Sequence, residues 1–211
     1  MVWAYAVPLA KGRIERVAVF ADGFEDAQMK PRGGFPKRPN EWSGDLSAPV
    51  GSELGVMPFK GSRMVRLNPT PKRKFSYARR IMDLAKHASI VNGQTRRLEV
   101  TASFNTPGTE RSSHYQIRLA AFSEEPANLR AIWNDEPVLF DTVLQHVGRN
   151  VRTGPGDSGW RTVTAVLDLP PGTRSIVISL AAAEDDPAAP PTDHFLDDVQ
   201  ARFVITQAPL D

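Results

Sequence analysis

The chain has 211 residues, of which 41% are hydrophobic and 24% charged, enough for one well-filled core. Lys and Arg total 26 against 24 Asp and Glu, and a formal charge of +2 gives no reason to expect nucleic acid as a partner. The lack of cysteine excludes disulfides, thiolate metal sites and a cysteine nucleophile, and no apolar run reaches the about 20 residues of a membrane-spanning helix.

The stretch 2–9 is apolar but is followed, not preceded, by Lys11 and Arg13, so it makes a poor signal peptide. Residues 1–13 are read as an extra N-terminal strand. Beyond them, 18 Pro and 15 Gly break the chain into short runs, which favours strands and turns over long helices. Residues 13–20 (RIERVAVF) alternate and form the first core strand. Residues 27–60 are loop-like, and 63–67 and 76–84 are short strands. The basic run Lys72-Arg73-Lys74 follows Pro69 and Pro71 and reads as a solvated loop.

The clearest strand is 97–104. There Leu98, Val100, Ala102 and Phe104 point one way and Arg97, Glu99, Thr101 and Ser103 the other. Residues 114–122 repeat the period with Tyr115, Ile117, Leu119 and Ala121. The intervening loop predicts that the two runs form an antiparallel pair. Leu129, Ile132 and Trp133 are spaced for one short helix over 128–134, stopped by Pro137. Residues 138–151 read as a loop or helical turn that becomes a strand near Leu144. Strands at 160–169, 174–182 and 194–205 complete the chain. The pattern predicts an all-β, antiparallel β-sandwich of jelly-roll type with one short helix. It is read as a single domain, 1–211, with its core at about 14–205.

Two acidic segments stand out, Asp22-Gly23-Phe24-Glu25-Asp26 and Phe195-Leu196-Asp197-Asp198-Val199. Carboxylates beside strand residues are costly unless solvated, paired or bound to metal. The first and last strands of an antiparallel sandwich are often neighbours, so these acids can meet. A hard cation such as Ca2+ would favour that meeting, and solvated turns are the other reading.

Catalytic patterns are missing. None of His87, His114, His146 and His194 has the i, i+4 spacing of a zinc helix, and no phosphate loop or Gly-x-Ser-x-Gly elbow occurs. Nothing assembles a nucleophile, a base and an orienting group, so no catalytic activity is expected. A glycosidase pair of Glu25 with Asp197 or Asp198 is disfavoured, because these acids belong to edge-like segments.

Sugar sites combine aromatic faces with a few polar groups. Trp42, in a polar Pro-rich loop, reads as the exposed tryptophan; Trp133 and Trp160 read as core. Arg97, Glu99, Gln116 and Arg118 are candidates to line a groove, or are the wet side of a sheet.

The order of motifs carries a resemblance. Gly23-Phe24-Glu25 is followed by a Trp-containing loop, then Gly61-Ser62-Arg63-Met64-Val65-Arg66-Leu67 and strands ending Asp83-Leu84 and Ser103-Phe104-Asn105. Gly159-Trp160, Leu169-Pro170-Pro171-Gly172-Thr173 and Phe195-Leu196-Asp197-Asp198-Val199 close the series. Over about residues 20–205 this resembles the galactose-binding-like β-jelly-roll superfamily. Within it, the chain is similar to carbohydrate-binding modules of bacterial glycoside hydrolases and surface proteins. The resemblance implies a structural Ca2+ held by Glu25 and by Asp198 or Asp197, with backbone oxygens near Gly23 and Gly61. Strand alternation allows only one of the neighbouring aspartates to ligate, and Asp198 is the preferred one. The family usually has Asn-Gly before Phe-Glu, and Asp22 keeps an oxygen side chain there. The implied function is a non-catalytic module of a larger exported or surface protein, extracellular or periplasmic. Its partners would be a glycan and the other domains of that protein. A structural or protein-interaction domain without a sugar site is the alternative, and no membrane insertion is expected.

Overall fold

The computed structural model describes residues 14–69, 75–87, 95–108, 112–134, 136–185 and 192–206. The expected strand at 1–13 lies outside them. The described chain forms ten strands: β1 (Ile14–Asp22), β2 (Ser43–Gly44), β3 (Val65–Leu67), β4 (Ser76–Asp83), β5 (Thr95–Asn105), β6 (Ser113–Phe122), β7 (Val143–Thr153), β8 (Arg161–Asp168), β9 (Ser175–Glu184) and β10 (His194–Thr206). They make two five-stranded antiparallel sheets. The first runs β1-β10-β5-β8, with β3 also on β10; the second runs β2-β4-β9-β6-β7. The result is the antiparallel sandwich expected from the period-two runs. No described helix is long and apolar enough to cross a membrane.

The core lies where the apolar faces of the two sheets meet. Leu98, Val100, Ala102 and Phe104 face Tyr115, Ile117 and Leu119 across it, all 2% exposed or less. The rings of Phe104 and Tyr115 stack at 5.2 Å. This contact corrects the expected β5–β6 pairing. β5 pairs with β10 and β8, whereas β6 pairs with β7 and β9, so the chain crosses between sheets after β5. Both strands carry one apolar face, and facing each other across the core buries both.

First and last strands do pair, from Ile14 with Thr206 to Asp22 with Val199. β10 is interrupted by a register shift between Asp197 and Gln200, and Asp198 there has φ +45°. The two acidic segments are therefore brought to one end of the first sheet.

Two helices replace the single one expected: α1 (Pro126–Ile132) and α2 (Glu136–Thr142). Pro137, read as a stop, falls in the first turn of α2, where a missing N–H costs nothing. Leu129 of α1 is fully buried with Ile81, Phe122 and Val177, which fixes the helical segment on the outer face of the second sheet. A 3-10 turn, Leu84–His87, follows β4.

Candidate binding cleft and the acidic clamp

The outer face of the second sheet carries a cleft of about 490 Å³. Its floor follows from strand register. Arg79 of β4, Ser179 of β9, Arg118 of β6 and Gly148 of β7 form one cross-strand row. Tyr77, Ala181, Gln116 and Asn150 form the next. Small residues at the centre of both rows keep the floor low. The helical segment supplies the wall, with Trp133, Leu139 and Phe140, and Val143 continues it at the start of β7. The Trp133 ring stacks on Phe35 at 3.9 Å and 17°, which holds its plane in place. Phe140 is 64% exposed.

The polar groups are ordered. Gln116 is buried, and its Nε2 donates to Asn150 Oδ1 at 2.6 Å. His114 Nε2 lies 3.0 Å from the same oxygen. The Arg79 guanidinium lies over the Tyr77 ring, 4.3 Å from its centroid, and 5.8 Å from that of Trp133. Tyr77, Trp133 and Phe140 with amide, hydroxyl and guanidinium groups give the mixture of apolar faces and directed polar atoms that a polar small molecule needs.

Of the groove residues expected from sequence, Gln116 and Arg118 line this cleft. Arg97 and Glu99 do not, because β5 belongs to the other sheet and turns them to the opposite outer face. There Arg97 Nε pairs with Asp168 Oδ1 at 2.8 Å. Trp42 is not exposed either. It is 6% exposed and plugs one end of the core against Phe20 and Phe24. Its Nε1 donates to Asp22 Oδ2 at 2.8 Å, which satisfies the buried indole. Arg80, half-buried over the Phe20 ring, reaches the same carboxylate at 3.5 Å. The tryptophan that lines the cleft is Trp133, which sequence reasoning placed in the core; it is half-buried, packed against the Leu129 cluster on one side and open to the cleft on the other. Its helical spacing with Leu129 hid this, since the wall of a cleft and the side of a core carry the same periodicity. Trp160 is half-buried at the sandwich end, donating to Met57 O at 2.9 Å.

The acids meet on one loop. Glu25 Oε1 accepts from Ser62 N (2.9 Å) and Arg63 N (3.1 Å), and Oε2 from Ser62 Oγ (2.7 Å). The Ser62 hydroxyl, then its amide, hold the exposed Glu25 carboxyl below its ordinary pKa. Gly61 has φ +71°, which favours glycine, and a Cβ there would lie 2.8 Å from Glu25 Cδ, so a larger residue would push the Glu25 carboxylate off the loop amides. From the other chain end, Asp197 Oδ2 accepts from Lys60 N (3.0 Å) and Oδ1 from Asp198 N (2.7 Å). Burial pushes the Asp197 carboxyl up to about 6, against the lowering effect of these backbone donors. Asp198, the aspartate preferred from sequence, instead meets Lys60 Nζ at 3.6 Å and Gln200 Nε2 at 2.9 Å. The bulge in β10 thus turns Asp197, not Asp198, toward the loop backbone. Gly23 lies beside Glu25.

Both carboxylates reach the Lys60–Arg63 segment, and a hard cation there would have to compete with the N–H and O–H donors for their oxygens. Among the described residues no three His, Cys, Asp or Glu side chains cluster as a metal site, so carbonyl or water oxygens would have to complete a shell.

No protein-family model and no curated protein matches the chain. Among solved structures it is similar to the C-terminal family 22 carbohydrate-binding module of Clostridium thermocellum Xyn10B. That match has 14% identity over 92% of this chain and 97% of that one, with a TM-score of 0.47. The CBM22-1 xylan-binding domain of Paenibacillus barcinonensis Xyn10C matches at 10% identity over 94% and 98%, TM-score 0.48. The enzymatically active domain of bacteriophage CBA120 tailspike protein 4 matches at 10% identity over 85% of this chain and 20% of that one, TM-score 0.44. The likeness is one of fold: this chain is similar to carbohydrate-binding modules of the β-sandwich type.

Proposed function

We propose that the chain is a carbohydrate-binding module and that the cleft on its second sheet is the sugar site. The observation that carries this is the cleft itself, with aromatic side chains and ordered amides around a floor of small residues. Trp133 and Phe140 would cover the apolar face of a pyranose ring, while Gln116 and Asn150 address its hydroxyls. Among the described lining residues no nucleophile is hydrogen-bonded to a base, which supports binding rather than catalysis as its role. Such a module would hold a larger exported or surface protein on a glycan. A glycan array followed by calorimetry tests the reading, with Trp133→Ala expected to abolish binding. A folded protein that binds no glycan supports the alternative, a structural or protein-interaction domain.

We also propose that Ca2+ ties the chain ends together, held by Glu25 and Asp197 with oxygens near Gly23 and Gly61. The convergence of two carboxylates from opposite ends of the chain supports this, and a cation would offset the burial cost of Asp197. Binding to the folded state alone stabilises by about 2.7 kcal/mol at a hundredfold excess over Kd. Chelator should therefore lower the melting temperature, and Glu25→Gln should remove that response. An unchanged melting temperature would mean that the loop's N–H donors hold the acids without metal.

A further inference from the structure

We propose a second saccharide site on the opposite outer face of the sandwich, in a pocket where a fixed tryptophan, Trp160, lies beside the unspent amide of Asn105. The pocket measures about 480 Å³, within the range of small-molecule sites, and shares no lining residue with the cleft. The choice of a sugar as its ligand rests on the reading of the chain as a carbohydrate-binding module; the pocket itself does not depend on the cleft.

Strand alternation places it. The period that turns Phe104 into the core turns Asn105, the last residue of β5, to the outer face of the first sheet. Phe195 of β10 stands directly opposite Asn105 and forms a small buried cluster there with Val56 and Met64. Trp160, just before β8, packs against that cluster. Its Nε1 donates to Met57 O at 2.9 Å, which ties the ring to the loop at 54–59 and leaves only ring surface for a ligand. Phe59, 45% exposed, sets its ring 5.7 Å from that of Trp160 at 57°. The polar partner is Asn105. It is 6% exposed and lines the pocket, yet among the described residues its side-chain amide makes no hydrogen bond, and neither amide atom is sealed from the surface. A nearly buried amide with no protein partner is held at a cost, which a ligand hydroxyl offsets. An amide both donates and accepts. The pocket therefore asks for a C–H face on the aromatic rings and hydroxyls on the amide, and one sugar ring carries both.

The test is proton–nitrogen NMR on the full chain, titrated with methyl xyloside, methyl galactoside, xylobiose and cellobiose. The Trp160 indole N–H and the Asn105 amide report on the pocket, and the Trp133 indole reports on the cleft. At least one sugar should move the Trp160 and Asn105 signals along a saturable curve. Asn105→Ala and Phe59→Ala should each weaken that binding roughly fivefold or more, as expected for losing one hydrogen-bonding or stacking partner, while the Trp133 response keeps its midpoint. Phe59 is a surface residue, so its substitution should leave the melting temperature unchanged, and it decides the matter if Asn105→Ala unfolds the chain. A Trp160 signal that no sugar moves overturns the proposal, and a response at Trp133 in the same titration leaves the cleft standing. A Trp160 response that survives Phe59→Ala unchanged, or that vanishes with Trp133→Ala as an echo of the cleft, also overturns it. Saturation at Trp160 with no response at Trp133 keeps this site and removes the cleft as the sugar site.

Discussion

Gly44 links the stability of the sandwich to the shape of the cleft, and Gly44→Ala tests that link. Gly44 lies on edge strand β2, opposite Ala78 of β4, with φ +124°. A Cβ at this position would overlap the Tyr77 carbonyl oxygen and lie 3.0 Å from its carbon, both backbone atoms that cannot rotate away. The backbone conformation alone costs a non-glycine residue about 1–3 kcal/mol. To relieve the overlap, β2 must move off β4. The Asp45 N–Tyr77 O (2.7 Å) and Tyr77 N–Asp45 Oδ2 (2.9 Å) hydrogen bonds are then at risk. At about 1 kcal/mol net for each, the total comes to about 3–5 kcal/mol. Gly55→Ala is the control. It also has positive φ, +78°, but nothing lies within 4 Å of the added Cβ, so it should cost only about 1–2 kcal/mol. Urea unfolding of both variants gives the comparison. Ser43 on β2 pairs with Arg79, so Gly44→Ala should also weaken ligand binding at temperatures where the protein stays folded. Equal stability losses at the two glycines would refute the overlap argument.

Asp22→Ala should cost about 2–3 kcal/mol in urea unfolding, because it strips the acceptor from the buried Trp42 indole and the counter-charge from half-buried Arg80. Asp22→Asn, which keeps an acceptor, should cost less. Leu129→Ala should cost about 2–4 kcal/mol, as Leu129 is fully buried beneath the helices. Because Trp133 rides on the same segment, binding should weaken too; a stability loss with full binding would detach the wall from its anchor. His194 is pushed down to about 4 by burial, and the Glu184 carboxylate lies 4.0 Å from its Nε2. Its unfolded value is near 6.5, so the unfolded chain takes up the proton first as pH falls. The stability from neutral His194 is full above about 6.5 and declines toward 4, by about 3 kcal/mol in all. Urea midpoints at pH 7.5 and 4.5 should show this loss for the wild type and a smaller one for His194→Gln. Identical pH dependence in both would mean that His194 is already charged in the fold.

Strand identity was legible because a half-buried strand writes its own period of two, as at Leu98 to Phe104. Sheet membership was not. β5 and β6 are equally good partners by pattern, and only burial of both apolar faces across one core separates them. The same limit split the expected groove, leaving Gln116 and Arg118 in the cleft and sending Arg97 and Glu99 to the opposite face. The acidic ends were legible as a pair, since β1 and β10 are neighbours. Which of Asp197 and Asp198 turns toward the backbone of the Lys60 loop was not, because it depends on a bulge with φ +45° that the alternation rule does not foresee. Trp42 was misread because loops rich in proline are usually wet. Its burial depends on Asp22, twenty residues away, supplying an acceptor.

Net charge does not show where the charges of the chain lie, for a related reason. A balance of 26 basic and 24 acidic residues describes the chain as a string, and a ligand meets only what the sheets turn toward it. Several described acids pair away from the cleft. Asp168 and Asp157 pair with Arg97 and Arg161, which belong to the first sheet, while Glu25 and Asp197 hold the loop at the sandwich end. Arg79 and Arg118 share one row of the second sheet because strand order brings β4 and β6 to either side of β9. That order is set by core packing and long connections. The local placement of charges is therefore a product of topology, and a sequence-wide charge count does not reveal it.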